Sequence, residues 1–374
     1  LIQETSGQAL STAITLGSAL PEHPLELANL LYEIGDTSAA IVGYRDALSR
    51  NPSCGMSQAM LKLLAASEPA PEPAQATVTV ATDELPPQWR NVNLCIIAPP
   101  GNGHWQAFSD IATGFAYALA ELGADSTVTL NEIQSDAQNI VFGAHLIPTL
   151  EMARSISPET VLFNLEQIDG IGLQRYPVYH TLLSQLPVWD YSSRNIARIR
   201  ELLGNSNIHL ARVGYSASLE RIGRSSHHAT DVLFYGSLNE RRIAILNQLT
   251  SAGLNVRHLF NVYGEARDDA IRQAKVVLNM HFYPDSIHEV VRTSLLLANR
   301  KAVVCECNAG TEIDDDLRPA MRAVPYEHLA TACMTLVRDE AARLALESSA
   351  YEIFRSRKQS EFLREVISAC ASRR

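Results

Sequence analysis

Asp231-Val-Leu-Phe-Tyr-Gly-Ser-Leu-Asn-Glu-Arg-Arg242 reads as a strand, a glycine–serine turn and the start of a helix that carries two arginines. The alternation continues beyond it, with a helix over 239–252, a strand near 255–260 and a helix over 266–274. A strand Val276-Val-Leu-Asn-Met280, a helix over 287–299 and a strand Ala302-Val-Val-Cys305 follow. An earlier series begins at Val92-Asn-Leu-Cys-Ile-Ile-Ala98, an unbroken apolar run of the kind buried on both faces of a sheet. A Pro/Gly loop follows it, then a helix over 109–122 that stops at Gly123. Ser126-Thr-Val-Thr-Leu130, Ile140-Val-Phe142 and Val161-Leu-Phe163 are further strands. Strands alternating with helices predict an α/β fold, with parallel sheets covered on both sides. Two such series predict two domains, 89–225 and 226–345, with a hinge in 210–229. A helical tail over 326–372 closes the chain, and its last part, 346–374, is expected to pack back on the first domain.

The first 88 residues differ in character. Seven of the 17 prolines fall between Pro69 and Pro100, and 67–88 reads as a semi-rigid Pro/Ala/Glu linker. Before it, 1–66 is helical. Residues 21–52 form two helices joined at Gly35-Asp36, with small Ala40 and Ala47, a large Tyr44 and a terminating Pro52. This pattern resembles a tetratricopeptide repeat. One repeat cannot bury its own apolar face, so 3–19 and 56–66 are expected to flank it.

With 374 residues, 46% hydrophobic and 19% charged, the chain is globular in composition. Its net charge of -10 argues against a general nucleic-acid binder, which needs a basic surface, and against an anionic membrane surface. The six cysteines, at 54, 95, 305, 307, 333 and 370, lack zinc-site or redox spacing and read as buried thiols. No apolar run is long enough to span a bilayer, no signal peptide is visible, and a cytoplasmic location is expected.

Polar residues at the carboxyl ends of strands mark the site, because open parallel sheets bind ligands there. Gly236, Ser237, Arg241 and Arg242 combine a flexible backbone, a helix N-terminus and guanidinium groups, a design for diphosphate without metal. Asn279-Met-His-Phe-Tyr-Pro-Asp-Ser-Ile-His-Glu-Val-Val-Arg292 adds His281, Tyr283, His288, Glu289 and Arg292; Glu289 suits ribose hydroxyls, and Tyr235 closes the preceding strand. In the first series, Asn102, Gly103 and His104 lie in the loop after the first strand. Glu166 follows Val161-Leu-Phe163, and Asp190 and Asn195 lie in Trp189-Asp-Tyr-Ser-Ser-Arg-Asn195, where Ser192 or Ser193 is a natural helix cap. His104 and Glu166 are candidate general bases; Asn102, Gly103, Asp190 and Asn195 are candidate acceptor contacts.

The segments 231–242, Lys275-Val-Val-Leu-Asn-Met-His281 and Glu289-Val-Val-Arg292, with Leu297-Ala-Asn-Arg-Lys-Ala-Val-Val-Cys-Glu306, occur in this order. Together they resemble bacterial group-1 glycosyltransferases of the GT-B fold, close to the CgeB-like branch. The resemblance covers about residues 160–310. It implies two Rossmann-like domains facing a cleft. The second would hold a UDP-, GDP- or dTDP-linked sugar as substrate, with no cofactor and no metal, and the first would hold the acceptor. The chain departs from the family where retaining members carry paired glutamates, since His281 stands at the first position and Glu289 at the second. A repeat before such a module resembles enzymes that glycosylate proteins, so a protein acceptor is one expectation. A non-catalytic scaffold of the same fold and a nucleotide-sugar epimerase are the competing expectations.

Overall fold

The computed structural model describes residues 28, 37–52, 57–58, 77–78, 85–168, 176–284 and 286–371. The chain divides into two compact units, one holding residues 1–72 with 100–104 and 237–239, the other holding the rest. In the first unit, α1 (Thr37–Arg50) buries Tyr44 and Ala47. A Cβ on Gly43 would come within 2.8 Å of the Ala28 side chain, so glycine is what permits that close approach. Most of the expected flanking helices, 3–19 and 56–66, and most of the linker lie outside the described residues.

The second unit contains two sheets. In chain order the first is built from β1 (Thr77–Val78), β2 (Asn91–Ile96), α2 (Gln106–Glu121), β3 (Asp125–Leu130), β4 (Gln138–Phe142) and α3 (Leu150–Arg154). It is completed by β5 (Val161–Asn164), α4 (Pro177–Gln185), β6 (Val188–Asp190), α5 (Ser193–Leu203) and β7 (Ile208–Leu210). Its strand order is β1-β3-β2-β4-β5-β6-β7, parallel except for β1 at the edge. The second sheet follows with β8 (Thr230–Tyr235), α6 (Glu240–Ser251), β9 (Val256–Leu259), α7 (Gly264–Arg272), β10 (Ala274–Asn279), α8 (Val290–Ala298), β11 (Ala302–Glu306) and β12 (Arg322–Val324). Its order is β12-β11-β10-β8-β9, all parallel.

Both sheets therefore reverse direction of growth beside their first parallel strand. From β2 the chain adds β3 on one side and β4 on the other; from β8 it adds β9 on one side and β10 on the other. The carboxyl ends of β2 and β4, and of β8 and β10, are the topological switch points where such sheets open a crevice. Central strands are buried throughout, as with Val92, Leu94, Cys95 and Ile96, because helices cover both faces.

The helical tail is three helices, α9 (Leu329–Arg338), α10 (Glu340–Arg355) and α11 (Gln359–Ala371). Ala350 and Phe354 of α10 join the second core with Leu296 and Val303. Leu363, Val366 and Ile367 of α11 join the first core with Phe115 and Leu119. The chain thus returns to the first sheet at residues 356–359. There it pairs with the outgoing connection: Tyr215 N–H donates to Arg357 O (2.7 Å), Gln359 N–H to Tyr215 O (2.8 Å) and Gly214 N–H to Gln359 Oε1 (2.7 Å). A Cβ on Gly214 would lie 2.3 Å from Arg357 O and 2.9 Å from the Phe362 ring.

Gly214→Ala is accordingly expected to cost about 1–3 kcal/mol, the usual range for overfilling a packed contact. Thermal denaturation reads this directly. Gly223→Ala is the control, since nothing lies within 4 Å of its added methyl group. Equal midpoints for the two variants would contradict the close packing of the two crossings.

Candidate functional site

At the β8/β10 switch point the backbone turns at Gly236, whose φ of +137° an L side chain rarely adopts. The Gly236 N–H is already donated to Leu259 O (3.0 Å), and its carbonyl oxygen lies 2.7 Å from His258 Nε2. What Gly236 contributes is the absence of a side chain. A Cβ there would lie 3.0 Å from Arg292 Nη2 and 3.6 Å from Arg242 Nη1. The two guanidinium groups converge on this turn from α8 and α6.

Each arginine of the region is held differently. Arg242, 2% exposed, bonds the Met280 carbonyl, the His281 carbonyl (3.2 Å) and Glu289 Oε1 (3.1 Å). Its guanidinium lies 5.2 Å from the ring centres of both Phe234 and Phe282. Burial pushes it down to about 10, against the pull of Glu289, so it stays charged at neutral pH. Arg241 forms a bidentate pair with Glu306 (2.9 and 2.6 Å), donates to His281 O (2.7 Å) and sits 4.1 Å from the centre of the Tyr326 ring. Arg292 uses Nη1 for Asn279 Oδ1 (2.6 Å) and for Glu289, while Nη2 faces Gly236. Burial alone would raise the Glu289 carboxyl, but Arg292 and Arg242 outweigh it and hold it below the ordinary range.

The expected phosphate clamp of Arg241 and Arg242 is therefore redistributed. Both are engaged by protein acceptors, and Arg292, in the first turn of its own helix, presents a nitrogen toward the glycine turn. His288 faces inward: it is buried, with Nε2 2.9 Å from Thr293 Oγ1 and Nδ1 3.7 Å from Cys305 Sγ, and burial pushes it down to about 4. His281 is fully buried, neither ring nitrogen has a hydrogen-bond partner, and Nδ1 is 3.8 Å from Glu306 Oε1. Burial lowers its pKa, so the ring is neutral. Tyr283 is 58% exposed and stands at the rim, and the Tyr235 hydroxyl is buried without a partner. Ser237 follows Gly236 and belongs, with Asn102, Gly103 and His104, to the other compact unit. There Asn102 is buried and its Oδ1 closes a turn by accepting from His104 N–H (2.8 Å).

At the carboxyl ends of β4 and β5, Glu166 Oε1 lies 3.6 Å from His145 Nε2. His145 was absent from the expected residues. It follows Ile140-Val-Phe142 by the same rule that selected Glu166, and Gly143 before it (φ +72°) leaves room for the Phe108 ring. Asp190 and Asn195, expected to meet an acceptor, are instead inside: 0% and 1% exposed, bonded to Asn164, to Ser192 and to the backbone around Glu166. The loops at the ends of the two sheets meet. Ile287 N–H donates to Gln167 Oε1 (3.2 Å), Tyr191 OH to His288 O (2.9 Å) and Ser192 Oγ to Glu312 (2.7 Å). No helix among the described residues is long and apolar enough to cross a membrane.

No family model matches this chain. Two uncharacterised proteins of Acanthamoeba polyphaga mimivirus are similar in sequence. One is 27% identical over 186 residues, 49% of this chain and 64% of that relative. The other is 32% identical over 104 residues, 27% of this chain and 12% of that relative. The matches thus span less than two thirds of either relative. Among solved structures, WaaG, a glycosyltransferase involved in lipopolysaccharide biosynthesis, superposes with a TM-score of 0.50 at 10% identity over 75% of this chain and 99% of WaaG. OtsA, a trehalose-6-phosphate synthase, does so with a TM-score of 0.50 at 13% identity over 75% of this chain and 99% of OtsA. The two parallel sheets are those of the GT-B fold.

The Arg241–Glu306 pair makes a stability prediction. Glu306 is fully buried; burial raises its carboxyl, but Arg241 and the His281 N–H outweigh it and the pKa is lowered from 4.5. A lowered carboxylate contributes stability above its unfolded value and loses it as pH falls through the folded one. Glu306→Gln is expected to cost about 3–5 kcal/mol at neutral pH, the range for breaking a buried pair. The deficit should shrink in acid, below pH 4.5, as the parent's own carboxyl protonates. Urea denaturation of both proteins across pH measures it; a pH-independent deficit would contradict the ion pair.

Proposed function

We propose that the chain is a metal-independent glycosyltransferase that takes a nucleotide sugar as donor. The observation that carries this reading is the convergence of Arg292 Nη2 and Arg242 on the side-chain-free turn at Gly236. Three guanidinium groups, Arg241, Arg242 and Arg292, stand against two carboxylates, Glu289 and Glu306, with His258, His281 and His288 all pushed toward the neutral form by burial. One positive charge is in excess at a strand-end crevice of a chain whose net charge is -10. That is a focused site for a diphosphate, and cations aimed at a leaving group act where its charge develops.

In the transfer, the bond from the sugar's anomeric carbon to the diphosphate oxygen breaks and the electron pair leaves with the diphosphate, against Arg292 and Arg242. A new bond forms from the acceptor oxygen to that carbon. Glu166 takes the acceptor's proton, with His145 beside it; His104 remains the alternative base on the sequence argument. Glu289, already gripped by two arginines, orients them and offers its remaining lone pairs to ribose hydroxyls. A polypeptide acceptor held by the tetratricopeptide-like segment rests on the sequence pattern of residues 21–52 and extends the same reading.

The competing reading is a non-catalytic module of the same fold, and the internal pairing of Arg241 and Arg242 favours it. Nucleotide-induced thermal stabilisation separates the two. UDP, GDP or dTDP is expected to raise the melting temperature, and Arg292→Ala to abolish that shift. Turnover of Arg292→Ala is expected to fall about 100-fold, the scale for losing one charge-stabilising donor. Transfer should persist in EDTA. An Arg292→Ala enzyme as fast as its parent would remove the clamp assignment, and no stabilisation by any of the three nucleotides would favour the non-catalytic reading.

A further inference from the structure

The loop that presents Glu166 is gripped by two side-chain amides rather than by sheet or helix. Asn164 accepts the Glu166 N–H through Oδ1 (2.9 Å) and donates Nδ2 to the Glu166 carbonyl (2.9 Å). Asn195 donates Nδ2 to the same carbonyl (2.9 Å) and accepts the Ile168 N–H through Oδ1 (2.9 Å). Both amides turn their Nδ2 groups toward Asp190, Asn164 to Oδ2 at 2.6 Å and Asn195 to Oδ1 at 3.3 Å. The Ser192 N–H also reaches Asp190 Oδ1 (2.8 Å). The Tyr179 hydroxyl, kept protonated by burial, donates to Asn164 Oδ1.

An amide has one accepting and one donating end, whereas a carboxylate only accepts. All three of Asp190's neighbours are donors, and none can receive a proton from it. Burial outweighs the pull of Asn164, the Ser192 N–H and Asn195 and pushes its carboxyl up to about 8; the geometry, donors on both oxygens and no acceptor for a proton, is that of the carboxylate. A carboxylate at this position dictates which way round each asparagine stands. Both must point nitrogen at Asp190, which leaves both oxygens to receive the Glu166 and Ile168 N–H groups.

We propose that Asp190, Asn164 and Asn195 are a positioning unit that sets the backbone of the Glu166 loop, and through it the aim of the Glu166 carboxylate beside His145. The inference rests on the role given to Glu166 under the proposed function. Asp190 touches no substrate; it acts through two amides.

Asp190→Asn is nearly isosteric but replaces one acceptor oxygen with a donor. No arrangement of the three amides then satisfies every neighbour: turning Asn164 faces its nitrogen toward the Glu166 N–H, and turning the new amide faces its nitrogen toward Ser192 N–H and Asn195. The double variant Asp190→Asn with Asn164→Asp restores the match. The new acid at 164, kept protonated by burial, donates its O–H to the Glu166 carbonyl and accepts from the new amide, from Glu166 N–H and from Tyr179, while Asn195 still serves the Glu166 carbonyl.

The test is amide hydrogen exchange together with kinetics on the full chain, using whichever nucleotide sugar supports transfer. In Asp190→Asn the Glu166 and Ile168 amides are expected to exchange roughly tenfold faster or more, the scale of one lost hydrogen bond, with the interior of β5 unchanged. The kcat should fall about 100-fold, the scale for misplacing a reacting group, with the donor's KM unchanged. The double variant should recover both. Unchanged exchange at Glu166 and Ile168, or a double variant no better than the single one, would overturn the proposal. If Asp190→Asn does not fold, Asn195→Ala carries the test: faster Ile168 exchange over an intact β5 supports the unit, and unchanged exchange overturns it. The exchange arm needs no catalysis, so a parent without transferase activity refutes the proposed function while the positioning result still stands or falls.

Discussion

Two passages of chain connect the sheets, one outgoing around Gly214 and one returning around Arg357, and they are hydrogen-bonded to each other at a separation that no side chain on Gly214 would allow. Much of the cleft depends on that contact. It sets α10 on the second core and α11 on the first, so each sheet is packed partly by a helix that adjoins the crossing. The hydrogen bonds between Gln167 and Ile287, Tyr191 and His288, and Ser192 and Glu312 are individually modest, each contributing about 1 kcal/mol. Their geometry is simultaneous only when the crossings hold the sheets in one relation. Parallel topology does the rest, because it sends the carboxyl ends of β8 and β10 toward the same crevice as those of β4 and β5.

Electrostatics inside the crevice follows a second constraint. Charges taken out of water must be paired; Arg242 and Glu306 are almost wholly out of water and Arg241 is largely so. Glu306 and Glu289 satisfy that demand, and Glu289 does so for two arginines at once. The arrangement therefore fixes the guanidinium groups before any ligand arrives. A preorganised cation needs little rearrangement when negative charge develops beside it.

The α/β architecture was legible because hydrophobic runs and turn residues alternate with a period that sheets and helices share with few other folds. The glycine turn at 236 and the acidic residue at 166 were legible for the same reason, as polar or flexible residues directly after apolar strands. Which arginine faces the turn was not. Arg241 and Arg242 are neighbours on one helix and point about 100° apart, and Glu306, 65 residues beyond Arg241, decides that Arg241 is used internally. His288 and Asp190 misled for a related reason. Polar residues near strand ends serve either a ligand or the loops that surround it, and only burial separates the two. His145 obeyed the strand-end rule and was passed over. Gly214 carries no local signal at all, since the atom it must avoid belongs to residue 357.

Burying Asp190 is costly in desolvation, and a cluster of apolar side chains of equal volume would fill the space at least as stably. An apolar filling would lack direction. The loop 165–168 has no ladder of its own, and its N–H and carbonyl groups need partners whose polarity is specified. An acceptor-only group at the centre breaks the twofold ambiguity of each flanking amide, so one carboxylate orders two side chains and, through them, a stretch of backbone. Its neighbour in sequence, Tyr191, reaches across to His288 O, and Ser192 caps α5 while contacting Glu312. The same three-residue segment thus orients the Glu166 loop on one side and touches the opposite sheet's loops on the other. A change in how the two sheets meet would be felt at Glu166 through a buried network rather than through solvent, where hydrogen bonds are weaker and charges are screened.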